Sequence, residues 1–167
     1  MRTSIGNTWI LQLVIIFMLI FVSFLALSLN YTKAYKLKNE LVTMIEKYEG
    51  LSSKNKKNDG SISLINNYLR FNGYGVMHTC ELTEFGSKNL DDDTLEPVEE
   101  GEKYYYCVAK IDTSNERLNN RSRYRIKIFF NFNLPVIGDL FTFTVEGTTI
   151  DINNAIENDI NYFEGDL

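Results

Sequence analysis

TWILQLVIIFMLIFVSFLALSLNYTKAYKLKNELVTMIEKYE, residues 8–49, holds neither proline nor glycine, and its reading decides the fold. From Trp9 to Leu29 it is almost wholly Ile, Leu, Val, Phe and Met, and no charged side chain occurs between Thr3 and Thr32. About twenty such residues cross a bilayer core as a helix. The stretch therefore predicts a membrane-spanning helix over residues 8–30, after a short leader of residues 1–7. A buried core helix is the plainer reading, but about ten to fourteen apolar residues with a polar stripe suffice for one. Here only Gln12, Ser23 and Ser28 interrupt the run, which leaves no polar face.

The second half changes pattern without a break in helix signal. Ala34, Leu37, Leu41, Met44, Ile45 and Tyr48 recur at spacings of three and four, with Lys36, Lys38, Glu40, Glu46 and Lys47 between them. Residues 31–50 thus read as an amphipathic continuation, with Gly50 where a helix wants a left-handed C-terminal residue. One helix of about forty residues, roughly 60 Å long, is expected.

A polar loop over 51–60 precedes a shorter helix in SISLINNYLRFNGYG. Ser61 is its expected N-cap, Ile62, Ile65, Tyr68 and Leu69 its buried stripe, and Gly73 its stop. From Gly75 the period switches to two, with strands expected in VMHTCEL, KYYYCVAKID, SRYRIKIFFNFNL and FTFTVEGTTIDI. In the third, Tyr124, Ile126, Ile128, Phe130 and Phe132 point one way, and Arg123, Arg125, Lys127, Phe129 and Asn131 the other. A strand half-buried in this manner tolerates Asp at Lys127 but not at Ile128. LPVIGD reads as the hairpin loop between the last two strands. The connections are too short for crossover helices, so the sheet is antiparallel with about four strands, and the helices are its only apolar cover. The fold class is α+β, with residues 61–152 as the folded domain and 153–167 as an acidic tail.

Several function classes are disfavoured. Net charge is −5 and no basic stripe tracks phosphates, so no nucleic-acid partner is expected. A lone His78 and two cysteines make neither a metal site nor a nucleophile with its base, and no catalytic residue, cofactor or metal is assigned. Asp91 to Glu102 carries seven acids, but DDDTLEPVEEGE lacks the alternate ligand spacing of a calcium loop and reads as a solvated loop. Tyr104, Tyr105 and Tyr106 form an aromatic run in which alternation turns at least one ring outward; structural roles are expected first.

Topology signals conflict. Arg2 precedes the apolar run, while Lys33, Lys36 and Lys38 follow it, which by the positive-inside rule favours a cytoplasmic domain. Cys80 and Cys107 argue the opposite, because a disulfide between them would close a loop of about 28 residues and stabilise a small domain by roughly 3 kcal/mol. The expectation is a single-pass protein with its C-terminal domain outside the cytoplasm.

A short basic leader, an uninterrupted helix that is apolar then amphipathic, a loop and a small sheet together resemble type IV pilins, pseudopilins and TadE-like proteins. The resemblance covers most of the chain and rests on layout. It implies peptidase cleavage after Gly6, leaving Asn7 first. It also implies a Glu near the new terminus, where this chain has Leu11 and Gln12 and no Glu before Glu40. Gln12 hydrogen-bonds but cannot neutralise an ammonium group; with Ser23, Ala26 and Ser28 it is a candidate for helix–helix contact. Ala26-Leu27-Ser28 also offers a signal-peptidase site, which would make Leu29 the first residue. The expected function is a non-catalytic, membrane-anchored subunit of an envelope filament or its assembly machinery, self-associating or joining pilin-like partners through the long helix. The alternative is a membrane-tethered binding module that does not polymerise.

Overall fold

A computed structural model describes residues 2–52, 60–112, 121–134 and 138–153. Helix α1, Arg2–Lys47, is continuous over 46 residues, about 69 Å at 1.5 Å per residue. Between Thr8 and Lys33 no side chain is buried, whereas Ala34, Leu37, Leu41 and Ile45 are. The helix is therefore two objects in one: a bare apolar rod and the spine of a core. It is long and apolar enough to cross a membrane, which fits an anchor and equally a signal sequence. At its end Glu49 (φ 53) and the expected Gly50 (φ 132) both have positive φ, and the Gly50 N–H closes the turn on Ile45 O at 3.0 Å.

Helix α2, Ser61–Phe71, begins differently from expectation. Gly60 is the N-cap, and Ser61 lies inside the helix. The Ser61 hydroxyl instead donates to Gly50 O (2.9 Å) and accepts from the Ser52 N–H (2.8 Å), tying the end of α1 to the start of α2. At the other end Gly73 (φ 64) supplies the expected stop: its N–H reaches Arg70 O and the Tyr74 N–H reaches Leu69 O, which satisfies two last-turn carbonyls.

Six strands form one antiparallel sheet: β1 (Phe85–Ser87), β2 (Glu96–Pro97), β3 (Tyr106–Asp112), β4 (Arg121–Leu134), β5 (Gly138–Thr148) and β6 (Ile152–Asn153). Their order is β2-β1-β3-β4-β5, with β6 also on β4. The last three predicted strands are present, and β4 pairs with β5 through Leu134↔Gly138 as a hairpin requires; residues 135–137 of LPVIGD lie outside the described residues. β5 and β6 are one edge interrupted at Thr149, whose N–H donates to Tyr124 O and whose hydroxyl accepts from the Tyr124 N–H, each at 3.0 Å. In this gap the Ile150 N–H donates to Glu46 Oε1 at 2.9 Å, fastening the last turn of α1 to the sheet edge.

The core lies between the helices and one sheet face. Leu37, Leu41 and Ile45 of α1 and Ile62, Ile65 and Leu69 of α2 meet Tyr106, Val108, Tyr124, Ile126 and Ile128. α1 approaches β5 most closely at Gly147, where a Cβ would stand 2.7 Å from Val42 Cγ2 and 2.8 Å from Lys38 Cδ. Only a glycine leaves room for that helix.

Two expectations need correction. VMHTCEL is not a strand; its main chain pairs with the sheet at a single bridge, His78↔Tyr104. Tyr74, just before it, ends the β3–β4 ladder: its hydroxyl stands where Tyr105 and Phe129 would next pair, accepting from the Phe129 N–H at 2.7 Å and lying 3.0 Å from Tyr105 O and 2.8 Å from Phe129 O. The acidic segment is likewise not wholly solvated: it contains β2, and Leu95 and Val98 beside that strand are buried.

Candidate functional site

Of the residues singled out from sequence, Cys80 and Cys107 are brought together as a disulfide with Cα atoms 6.0 Å apart. Cys107 is on β3 and fully buried. Its partner residue across the ladder is Lys127 of β4, so the bridge lies on the sheet face away from the helices. Around it the outer face is covered, which corrects the reading of Lys127 as a solvent-facing residue: it is 6 % exposed. A lysine is tolerated there because carboxylates come to it. Its Nζ lies 2.6 Å from Glu81 Oε1, 2.8 Å from Glu84 Oε1 and 3.8 Å from Glu146 Oε1. Glu84 is itself 1 % exposed, and its other oxygen accepts from the Glu81 N–H at 3.1 Å.

Residues 78–84 thus form a strap held to the outer face by one covalent and several ionic bonds. The His78 ring packs on Phe129 with centroids 5.2 Å apart, the role of an ordinary surface aromatic. Burial pulls the Lys127 ammonium pKa down, but the bonds to Glu81 and Glu84 outweigh it, and the net shift is upward. The same bond to Lys127 holds the Glu81 carboxyl below its usual range. Cys80, Glu84 and Cys107 place three metal-type donor atoms within 4.8 Å of one another. Both sulfurs are consumed by the disulfide, and the carboxylate is paired with Lys127, so the trio is a fastening and not an ion site.

The acidic loop and the tyrosines are structural in the same sense. Lys88 gathers Glu96 (3.0 Å), Glu102 (3.3 Å) and Glu99 (4.0 Å), supplying the cation that those acids need. Tyr104 and Tyr106 are fully buried; the Tyr104 hydroxyl accepts from the Glu99 N–H and the Tyr106 hydroxyl donates to Asn66 Oδ1. Burial raises the Tyr106 phenol well above its usual range, as befits a hydroxyl that stays protonated to donate. Tyr105 is half-buried.

The remaining candidates lie on α1. Gly6 and Asn7 fall within its first two turns. At about 100° per residue, Gln12, Ser23 and Ala26 share one stripe about 60° wide, and Ser28 falls on the opposite side. That stripe continues into Leu37 and Leu41, the side on which the domain packs. The Ser23 hydroxyl donates to Leu19 O at 2.8 Å, which hides its polarity from lipid without removing it. Exposed aromatics bracket the apolar rod, Trp9 at one end and Tyr31 and Tyr35 at the other. Trp9 and Tyr31 are about 33 Å apart along the helix, near the roughly 30 Å of a hydrocarbon core, and such rings favour the two interfaces.

Sequence reading missed the strap and Tyr74. Glu81, Glu84 and Lys127 carried a faint signal only, since acids flanking a cysteine and a lysine inside a β-run are ordinary. Compared with protein-family models, curated proteins and solved structures, the chain matches none of them. The layout, a long apolar N-terminal helix followed by an antiparallel sheet, is compatible with a pilin-like fold.

Proposed function

We propose that the protein is a non-catalytic, single-pass subunit of pilin-like or TadE-like design, in which α1 anchors an extracytoplasmic domain and packs against other helices in an envelope assembly. The observation that carries this reading is the continuity of α1 from its bare apolar half into the domain core. An anchor joined by a flexible linker would let the domain tumble. A rigid helix fixes the height and rotation of the domain over the bilayer, as an ordered assembly requires.

In lipid, helices associate through close packing and a few hydrogen bonds, and the Gln12, Ser23 and Ala26 stripe supplies both. The aromatic bracket supports a retained span. A disulfide beneath the strap supports an oxidising compartment, against the vote of Lys33, Lys36 and Lys38.

Cysteine crosslinking in native membranes tests the reading. Ser23→Cys should give disulfide-linked dimers or adducts with a partner helix, and Phe17→Cys, on the opposite side of α1, should not. A tethered module that captures a partner without polymerising, the alternative, predicts self-crosslinks at neither position. Equal crosslinking at both positions would refute a defined helix interface.

A further inference from the structure

Where α1 leaves its apolar run, a cavity of about 480 Å³ opens between the helix, the end of α2 with the residues that follow it to Val76, and β4. That volume lies within the range of small-molecule sites, about 300–1,000 Å³. Lys33 and Lys36, one turn apart on α1, stand at its rim. Among the described residues neither lysine has a carboxylate within ion-pair distance, whereas Arg70, Lys88, Arg123 and Lys127 are all paired. Among the described residues no acidic side chain lines the cavity, in a chain whose net charge is −5.

Of the two lining amides, Asn72 already donates to Tyr68 O at 2.8 Å, and Asn131 is the one with a donor to offer. Asn131 accepts at its Oδ1 from the Thr142 hydroxyl (2.8 Å), which turns its Nδ2 outward as a donor. Deeper in, Leu37, Tyr74, Val76 and Phe130 are apolar walls, with Tyr74 and Phe130 packed edge to face at 5.8 Å. Gly75 adds no bulk; a Cβ there would meet nothing within 4 Å. The site is cationic at its mouth and apolar behind.

Height selects the ligand. Lys33 and Lys36 lie about 6 and 10 Å beyond Leu29, the last residue of the apolar run, at 1.5 Å per residue. The interfacial layer of a bilayer is about 5–8 Å deep on each side, and long lysine side chains reach along it. We propose that this cavity binds the phosphate-bearing headgroup of an anionic phospholipid from the same bilayer: Lys33 and Lys36 pair with the phosphate, Asn131 donates to headgroup oxygens, and the first acyl atoms lie on Tyr74, Val76 and Phe130. The inference rests on the retained anchor, because only a helix held in the bilayer brings the cavity to headgroup level.

The test uses the full chain in a neutral detergent, titrated with phosphatidylglycerol, with phosphatidylcholine and inorganic phosphate as separate arms, and read by retained lipid in native mass spectrometry. Phosphatidylglycerol should be retained and the other two should not. The double variant K33Q/K36Q should weaken retention about 30-fold, taking about fivefold per lysine near an anionic surface. Gly75→Leu, which keeps both charges and adds bulk at a lining position with open space around it, should weaken it at least tenfold. Undiminished retention in Gly75→Leu would reduce the effect to surface charge and overturn the site. Equal retention of phosphatidylcholine would overturn recognition of charge, and displacement by inorganic phosphate would overturn the lipid as the source. The intact mass of the mature protein from cells separates the two readings: a chain that has lost residues 1–28 defeats the anchor, whereas a chain that keeps its apolar helix and retains no phosphatidylglycerol defeats the site alone.

Discussion

Replacing Lys127 by methionine should destabilise the domain by about 3 kcal/mol, because it removes the nearest cation from Glu84, 1 % exposed beneath the strap, and leaves it only Arg125, whose Nη2 is 3.6 Å away on a side chain one-third exposed. Breaking a fully buried pair costs about 3–5 kcal/mol. The lower end applies here because the other main partner, Glu81, keeps 63 % of its side chain in water and recovers its hydration. Methionine matches the volume of the lysine stem, so little of the loss comes from packing. The second arm is the double variant K127M/E84Q, which removes both charges and should recover most of the loss, since an amide still hydrogen-bonds to the Glu81 N–H. Urea titration of the full chain in neutral detergent, followed by tyrosine fluorescence with the disulfide intact, gives both values. A loss below about 1 kcal/mol in the single variant would refute the argument, for that is the value of an exposed pair.

Other outcomes follow from the same contacts. Cys80→Ser with Cys107→Ser should cost about 3.5 kcal/mol by loop entropy over a separation of 27 residues, read as a lowered urea midpoint; an unchanged midpoint would mean that the ionic contacts alone hold the strap. Gly147→Val places carbon where Val42 and Lys38 already stand, and should destabilise by about 1–3 kcal/mol, whereas Thr148→Val, exposed on the same strand, should be near neutral. The pH dependence has a definite sign. Glu81 is held below its ordinary 4.5, so its contribution is present above about pH 4.5 and lost as pH falls through the lower folded value. Lys127 is raised above 10.5, so its contribution is full below about pH 10.5 and lost as pH rises through the higher folded value. The stability gap between the wild type and K127M should therefore be flat from about pH 5 to 10 and narrow outside that window.

Helix α1 was legible because its signals are local: an apolar run without glycine or proline, then a stripe at Ala34, Leu37, Leu41 and Ile45. Strands β3, β4 and β5 followed from alternation, as in Tyr124, Ile126 and Ile128. Lys127 was misread because alternation reports only that one face is apolar. What covers the other face depends on Glu81 and Glu84, delivered by a disulfide to a position more than forty residues away in sequence. The same limit hid Tyr74, which ends the β3–β4 ladder with a side-chain hydroxyl, and Ser61, whose hydroxyl is taken by Gly50 O and the Ser52 N–H. The short β1 and β2 carry no alternation to read; β1 depends on Gly86, where any Cβ would collide with the Tyr104 ring. Of the candidate site residues, the cysteine pair was anticipated, although Cys80 reaches Cys107 from the strap and not from a strand. The headgroup-level cavity was not, because it joins residues from α1, the end of α2 and β4.

The central claim is that α1 stays whole, so that one rigid helix is both anchor and core spine. The intact mass of the mature protein, taken from the membrane and soluble fractions alike, tests it most directly. A chain beginning at Met1, or at Asn7 after a prepilin-type cut, is the predicted result. A chain beginning at Leu29 would contradict it, since the core starts at Ala34 and such a domain would keep every buried helix residue while losing the membrane altogether.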